Sequence, residues 1–296
     1  MVIRWAELNL AELLALVELH DLPLDPPAVA GRKLLVLWLQ DPVQSWSPQA
    51  YQEALALERA CDQLYIPVIN RVEHLTNAGK SEGARLIAMA GLRAPRCARI
   101  EDAVAFRKTL LGLKPPLFVR EDWGHGPPML RADTEDEARA LPIESLARPV
   151  AIEIVDVRDG QGRYRKFRYV AAGDAGVSHH LQVTAGWISR GEGRIDDDRA
   201  HKDEFDYLRG PDPHHARFQA ARRFMKLDFV SFDYGCDAQG DAVVWEANPY
   251  PHIRFSKLNK YRNRALHRTV AAMWKLYLVR AKLPVPEKLE LALAYD

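Results

Sequence analysis

The most constraining stretch of this chain is residues 227–249, LDFVSFDYGCDAQGDAVVWEANP, which reads as two short strands joined around 237–241. With Gln239 and Gly240 as a two-residue turn, Asp233 falls directly opposite Glu246. Side chains alternate along a strand, so Glu246 and Asn248 share a face. The expected hairpin therefore presents two carboxylates and one amide oxygen together. Like charges opposed across a strand pair repel unless something neutralises them, and hard oxygen donors with room for waters and phosphates suit Mg²⁺. The same spacing also suits polar residues on an exposed, turn-flanked sheet face.

Composition narrows the class. The chain has 296 residues with 41 Lys+Arg against 40 Asp+Glu, a formal net charge of +1 that excludes a globally basic nucleic-acid binder and an acidic disordered chain. With 48% hydrophobic and 27% charged residues it can bury a sizeable core, as one large domain or as smaller lobes. The apolar run 34–39 is far shorter than the roughly 20 residues a membrane-spanning helix needs. Glu7, Glu12 and Glu18 interrupt the N-terminal leucines, so no secretory signal is expected and the chain is expected in the cytoplasm. Cys61, Cys97 and Cys236 fit neither a disulfide framework nor a zinc spacing and read as free thiols.

Periodicity predicts an amphipathic helix over 5–19, a buried strand over 33–39, a helix over 48–64 and a second short strand over 65–70. Strand, helix and strand in that order imply a parallel βαβ unit. A helix follows over 80–90, stopped by Gly91 and Pro95. A strand at 116–120 enters the loop 121–128, and the proline-bounded segment 142–149 marks a lobe boundary. The strand 150–156 is expected to turn through Asp159-Gly160-Gln161-Gly162 into 164–171 as a hairpin. Residues 189–213 are charged and glycine-punctuated, as in a lid or a solvated loop. His179-His180 and His214-His215 lack the spacing of a zinc site, and Trp187 is expected to pack the second half of the chain. Beyond residue 253 the chain carries Arg254, Lys257, Lys260, Arg262, Arg264 and Arg268 with no acid before Glu287, on a pattern that suits a terminal helix.

Asp233, then Glu246, then Asn248, inside LDFVSFDY and VVWEANPYP, resemble the metal-binding end of the ATP-grasp superfamily. VIN at 68–70, Lys80 at a helix start, AGLRAPR at 90–96, PLFVRED, VAIEIVD and YRKFRYVAAGD resemble successive elements of the same fold over residues 33–255. The resemblance implies an α/β chain of α+β subdomains: a helical extension at 1–32, a βαβ unit at 33–75, one ATP-grasp subdomain at 76–148, a second at 149–256, and a C-terminal helix and tail at 257–296. It implies ATP and Mg²⁺ as cofactors, with Asp233, Glu246 and Asn248 on the metal. Arg120 stands where the family usually places a phosphate-facing lysine, which exchanges a point charge for a fork. Lys80 matches another phosphate-facing lysine, before a helix whose amides favour anions. The loop 123–128 replaces a glycine-rich loop. Glu153 would meet the adenine amine and Asp156 the ribose. Arg168, with Lys166 on its face, would meet phosphates or the acyl intermediate, so Arg120 and Arg168 are the catalytic candidates.

Each of these residues also has an ordinary reading. Arg120 can pair with Glu121 or Asp122, Lys80 can be a solvated first-turn lysine, Glu153 can be the outward residue of a half-exposed strand, and Arg168 and Lys166 can form a cationic sheet face. The function the resemblance implies is an ATP- and Mg²⁺-dependent ligase that joins a small-molecule or peptide carboxylate to an amine or thiol through an acyl phosphate. The departures at Arg120 and the 124–128 loop leave a nucleotide-binding module without ligation as one alternative. Contact of the basic segment 254–282 with nucleic acid or an acidic partner is the other, against plain packing of Met273, Trp274 and Leu278.

Overall fold

Two short strands, β1 (Leu35–Val36) and β2 (Val68–Ile69), pair in parallel in the computed structural model, which describes residues 1–123, 128–187, 193–255 and 260–295. A parallel pair needs a crossover, and the helix Pro48–Gln63 supplies it. Ser47 accepts from the Ala50 amide at 3.4 Å and Pro48 fills the first helical position, while Ala54, Leu57 and Cys61 face the core. Asn70 follows β2 at φ 52°, a backbone asparagine tolerates. Its side chain accepts from the amides of Asp228 (2.8 Å) and Phe229 (3.0 Å) and donates to the Phe229 carbonyl (2.7 Å), fastening this unit to a distant strand.

β3 (Cys97–Arg99), β4 (Leu117–Glu121), β5 (Leu130–Ala132) and β6 (Pro149–Glu153) form an antiparallel sheet in the order β3-β6-β4-β5. Its core holds Phe106, Leu110, Leu117, Val119 and Ala151. The lobe boundary expected at 142–149 thus falls later, because β6 lies between β3 and β4 and the chain leaves this sheet only after Glu153. The expected hairpin of 150–156 with 164–171 does not form either. The turn is present, with the Gly162 amide donating to Asp159 O at 2.9 Å, but β6 and the next strand belong to different sheets.

That next strand is β7 (Tyr164–Ala172), which with β8 (Ala175–Thr184), β9 (Phe229–Cys236) and β10 (Ala242–Asn248) builds a second antiparallel sheet in the order β10-β9-β7-β8. The helix His215–Phe224 covers one face, where Phe218 stacks on Tyr169 at 4.7 Å and on Phe232 at 5.1 Å. The helix Lys260–Arg280 covers part of the other face, burying Leu266, Val270, Met273 and Trp274 with Val170, Ala172 and Phe229. Packing is the outcome for the basic segment. Arg262 pairs with Glu204 (2.5 Å), Arg268 donates to Leu208 O (2.5 Å), Lys275 pairs with Glu290 (2.7 Å) and Arg280 faces Asp228 (3.6 Å).

Two other expectations change. The N-terminal helix spans only Val2–Asn9 before 3₁₀ turns at Ala11–Leu16, and Asn9 donates back to Trp5 O at 2.7 Å, a side-chain bond that competes with helix continuation. Within 189–213, residues 193–213 are not a bare loop, since Asp198–Leu208 is a helix capped by Asp197 on the Ala200 amide (2.8 Å) and packed on β8 through Ala200. Residues 188–192 lie outside the described residues, as do 124–127 of the expected phosphate loop. Among the described residues, no helix is long and apolar enough to cross a membrane.

Candidate functional site

Asp233 on β9 faces Glu246 on β10, as the sequence predicts, but by a different route. The turn is longer than two residues. Asp237 N donates to Asp241 O (3.0 Å), Gly240 at φ 84° closes it, and Val244 faces Tyr234. A bulge at Trp245 then shifts the register by one and brings Glu246 opposite Asp233. Gly235 accommodates that bulge, since a Cβ there would meet the Trp245 ring at 2.7 Å.

The register extends across the sheet. Asp233 lies beside Arg168 on β7, and Arg168 beside His180 on β8, so His180, Arg168, Asp233 and Glu246 form one transverse row. Arg168 grips Asp233 with two bonds, Nε to Oδ1 at 2.6 Å and Nη2 to Oδ2 at 2.8 Å, and Lys166 Nζ reaches Oδ2 at 3.3 Å. Burial works against the Asp233 charge, but Arg168 and then Lys166 outweigh it and hold the carboxyl below its ordinary pKa. For Arg168, burial likewise opposes the charge and Asp233 more than restores it. Lys80 Nζ sits 2.6 Å from Glu246 Oε1, with its side chain only 7% exposed, so it is not a solvated first-turn lysine. Asn248 is buried on the same face, its Oδ1 accepting from Tyr250 N at 2.8 Å. Lys80, Lys166, Arg168, Asp233, Glu246 and Asn248 are thus assembled in one place.

Lys80 reaches the row through an unforeseen device. The first two amides of its helix, Lys80–Met89, are taken by Asp122, whose main-chain oxygen accepts from Lys80 N (2.7 Å) and whose carboxylate accepts from Ser81 N (2.7 Å) and Ser81 Oγ (2.8 Å) and pairs with Arg99 (2.9 Å). The anion seat expected at that helix start therefore holds the protein's own carboxylate and fixes the helix to the end of β4. Glu121 accepts from Ala147 N and Arg148 N, so both acids flanking Arg120 in sequence have other structural roles.

Arg120 is buried on β4, its Nη1 3.7 Å from the Met129 sulfur. It shares a face with Phe118, whose ring meets Trp187 from the end of β8 at 5.4 Å. Trp187 thus bridges the two sheets rather than packing within the second, with Arg131 of β5 over its ring at 5.3 Å. Glu153 and Asp156 are not brought to the row. Glu153 accepts from Arg96 N at 3.2 Å at the end of β6, and Asp156 is exposed in an ion pair with Arg158 (2.5 Å), whose hydrogen bonds hold its carboxyl below the ordinary range.

His180 is the member of the row that sequence reasoning missed. It enters because β8 bulges at His179, putting Ser178 opposite Tyr169 and His180 opposite Arg168, and adjacent histidines give no hint of a bulge. Burial, then the charge of Arg168, keeps its imidazole neutral well below the usual histidine range. Beside the row, Gln40, Asp41, Lys80, Trp123, Asn248 and Tyr250 line a recess. Among the described residues no three His, Cys, Asp or Glu side chains gather as a metal cage.

No family model matches the chain, and no curated protein matches it in sequence. Solved structures do. The ATP-grasp ligase PsnB, solved in complex with its minimal precursor, superposes with a TM-score of 0.52 at 14% identity, covering 83% of this chain and 79% of that one. This chain has the ATP-grasp fold. The D-alanine-D-alanine ligase from Coxiella burnetii superposes on it at a TM-score of 0.53, with 13% identity over 88% of this chain and 72% of its own. The VanG D-Ala:D-Ser ligase from Enterococcus faecalis gives 0.51, with 16% identity over 83% and 73%. At such identities the ATP-grasp likeness lies in the arrangement of strands and helices, and the side-chain row stands on its own geometry.

Proposed function

We propose that the chain is an ATP- and Mg²⁺-dependent ligase that joins a carboxylate to an amine or thiol. The observation that carries this reading is the convergence of Lys80, Lys166 and Arg168 on Asp233 and Glu246, with Asn248 on the same sheet face. The shared fold supports it, and one of the similar PsnB structures, at a TM-score of 0.51, is a complex with a phosphomimetic variant of the minimal precursor, Mg and ADP.

The donor set fits magnesium. Asp233, Glu246 and Asn248 offer hard oxygens on one face, and Asp233 is kept ionised by its cations, so deprotonation costs nothing extra on binding. Magnesium, when bound there, neutralises phosphate charge and orients the triphosphate. Lys80 and Lys166 would exchange a carboxylate partner for phosphate oxygens, and the Arg168 fork would stay on Asp233 while its remaining N–H donors face the transferring group. Arg120 would approach the phosphates from the opposite sheet. The carboxylate substrate would occupy the recess beside Lys80 and Asn248, attack the γ-phosphorus and release ADP. An amine or thiol would then displace phosphate from the acyl phosphate.

The test is Mg²⁺-dependent ADP release over a panel of carboxylic acids and amines or thiols, with Asp233→Asn and Glu246→Gln alongside. Turnover retained in both variants overturns the assigned metal role. Tight ATP binding with no ADP from any acid would instead mark a nucleotide-binding module.

A further inference from the structure

A second concavity, of about 300 Å³, lies away from the row and plays no part in the proposed ligation. Arg71 enters it from the turn after β2, Arg222, Arg223 and Lys226 from the end of the helix His215–Phe224, and Arg280 as the last residue of the helix Lys260–Arg280, with His74 beside them. Against these five permanent cations the wall holds one carboxylate, Asp228. Asp228 is already engaged, accepting from Asn70 N at 3.1 Å and facing Arg280 at 3.6 Å. It precedes Asp233 by five residues, about 16 Å at the rise of a strand.

Most of the cations lean outward on other groups. Arg71 pairs with Asp62 and, at 3.6 Å, with Glu58, and Arg222 donates to Gln219, to Leu227 O and, at 3.4 Å, to Asp174. Among the described residues, Arg223 and Lys226 have no hydrogen-bond or ion-pair partner for their side chains. Lys226 also occupies a costly backbone position. The helix closes with Lys226 N on Arg223 O (3.0 Å) and Leu227 N on Arg222 O (3.2 Å), leaving Lys226 at φ 54°, where such helix ends favour glycine. At His74 burial lowers the pKa first, Glu73 opposes the fall, and Lys226 and Arg71 add to it.

Cations from three separate segments converge on this concavity; two of them, Arg223 and Lys226, are exposed and without a side-chain partner among the described residues, and Lys226 is held at a glycine-favouring position. We propose that this pocket binds a small, multiply charged anion bearing phosphate or carboxylate groups, at a site distinct from the nucleotide cleft. Its volume lies at the lower end of ligand pockets, enough for a compact metabolite rather than a cofactor of nucleotide size.

Calorimetric titration of the full chain with citrate and with pyrophosphate tests this, and the preferred probe tells carboxylate from phosphate. Wild type should bind at least one of them, more weakly as salt rises. Lys226→Gly removes the amine while easing the backbone, so it should raise the melting temperature yet weaken binding by about tenfold. Arg223→Ala with Lys226→Gly should abolish binding of citrate. Binding unchanged in Lys226→Gly, or no binding of either probe by wild type, would overturn the proposal. None of these outcomes depends on whether the chain releases ADP.

Discussion

Asp233 and Asp212 are both buried, at 5% and 4% exposure, on opposite sides of one sheet, and they are satisfied in opposite ways. Asp233 is held by the charges of Arg168 and Lys166. Asp212 accepts from neutral donors, Tyr234 OH at 2.7 Å, Tyr207 OH at 2.9 Å and the His214 amide at 2.8 Å. Charged partners can be traded for a metal or a phosphate, because the charge they leave is replaced by another. Hydroxyl and amide donors tied into an aromatic core have no such exchange and serve to fix the helix His215–Phe224 on the sheet. Burial of a carboxylate therefore does not mark a site; the kind of partner does.

The sharpest way to break this contrast is turnover. Asp233→Asn is expected to lower ADP release by about a hundredfold or more, whereas Asp212→Asn should stay within a few-fold of wild type in the same assay. Equal losses would show that both acids act only through the fold. Stability should also separate them. Asp233→Asn leaves Arg168 largely buried beside Lys166 and should cost roughly 3 kcal/mol in urea unfolding, much of it recovered when Arg168→Gln is added. Asp212→Asn keeps uncharged donors and should cost about 1–3 kcal/mol, with no recovery from Arg168→Gln.

A smaller effect lies one residue along β8 from that row. His179, bonded through Nδ1 to Thr269 Oγ1 at 2.8 Å, has its pKa pushed down to about 3 by burial and then by Arg168. Unfolded, it takes up a proton near its ordinary value, so stability is flat above about pH 6.5 and falls by roughly 1.4 kcal/mol per pH unit below it, until the folded pKa is reached. His180 shifts the same way and adds to the slope. His179→Gln should flatten the urea-midpoint profile between about pH 7 and about pH 5; an unchanged slope would assign it to other groups.

Much of this site was legible in the chain because strand alternation and pairing are short-range rules. Asp233, Glu246 and Asn248 fell on one face from their spacing alone, although a longer turn and the Trp245 bulge compensated one another to give the expected pair. Lys166 and Arg168 share a face for the same reason. The misplaced lobe boundary had another cause: β6 is as apolar as a strand of either sheet, and no local pattern says which neighbours it will choose. The loop reading of residues 193–213 gave way for the same reason, since a charged helix looks like a loop until Arg165, Arg163 and Arg262 meet its acids and its cap.

The sequence by itself determined the strand faces, the helix starts and the balance of charge, because these depend on neighbours a few residues away. Only the tertiary structure decided that Lys80 would meet Glu246 at a sequence separation of 166, that Asp122 would take the helix end meant for an anion, and that His180 would join the row. Those contacts depend on how separate elements pack and on where a strand bulges, and that packing is set by the whole core at once rather than by any stretch of the chain.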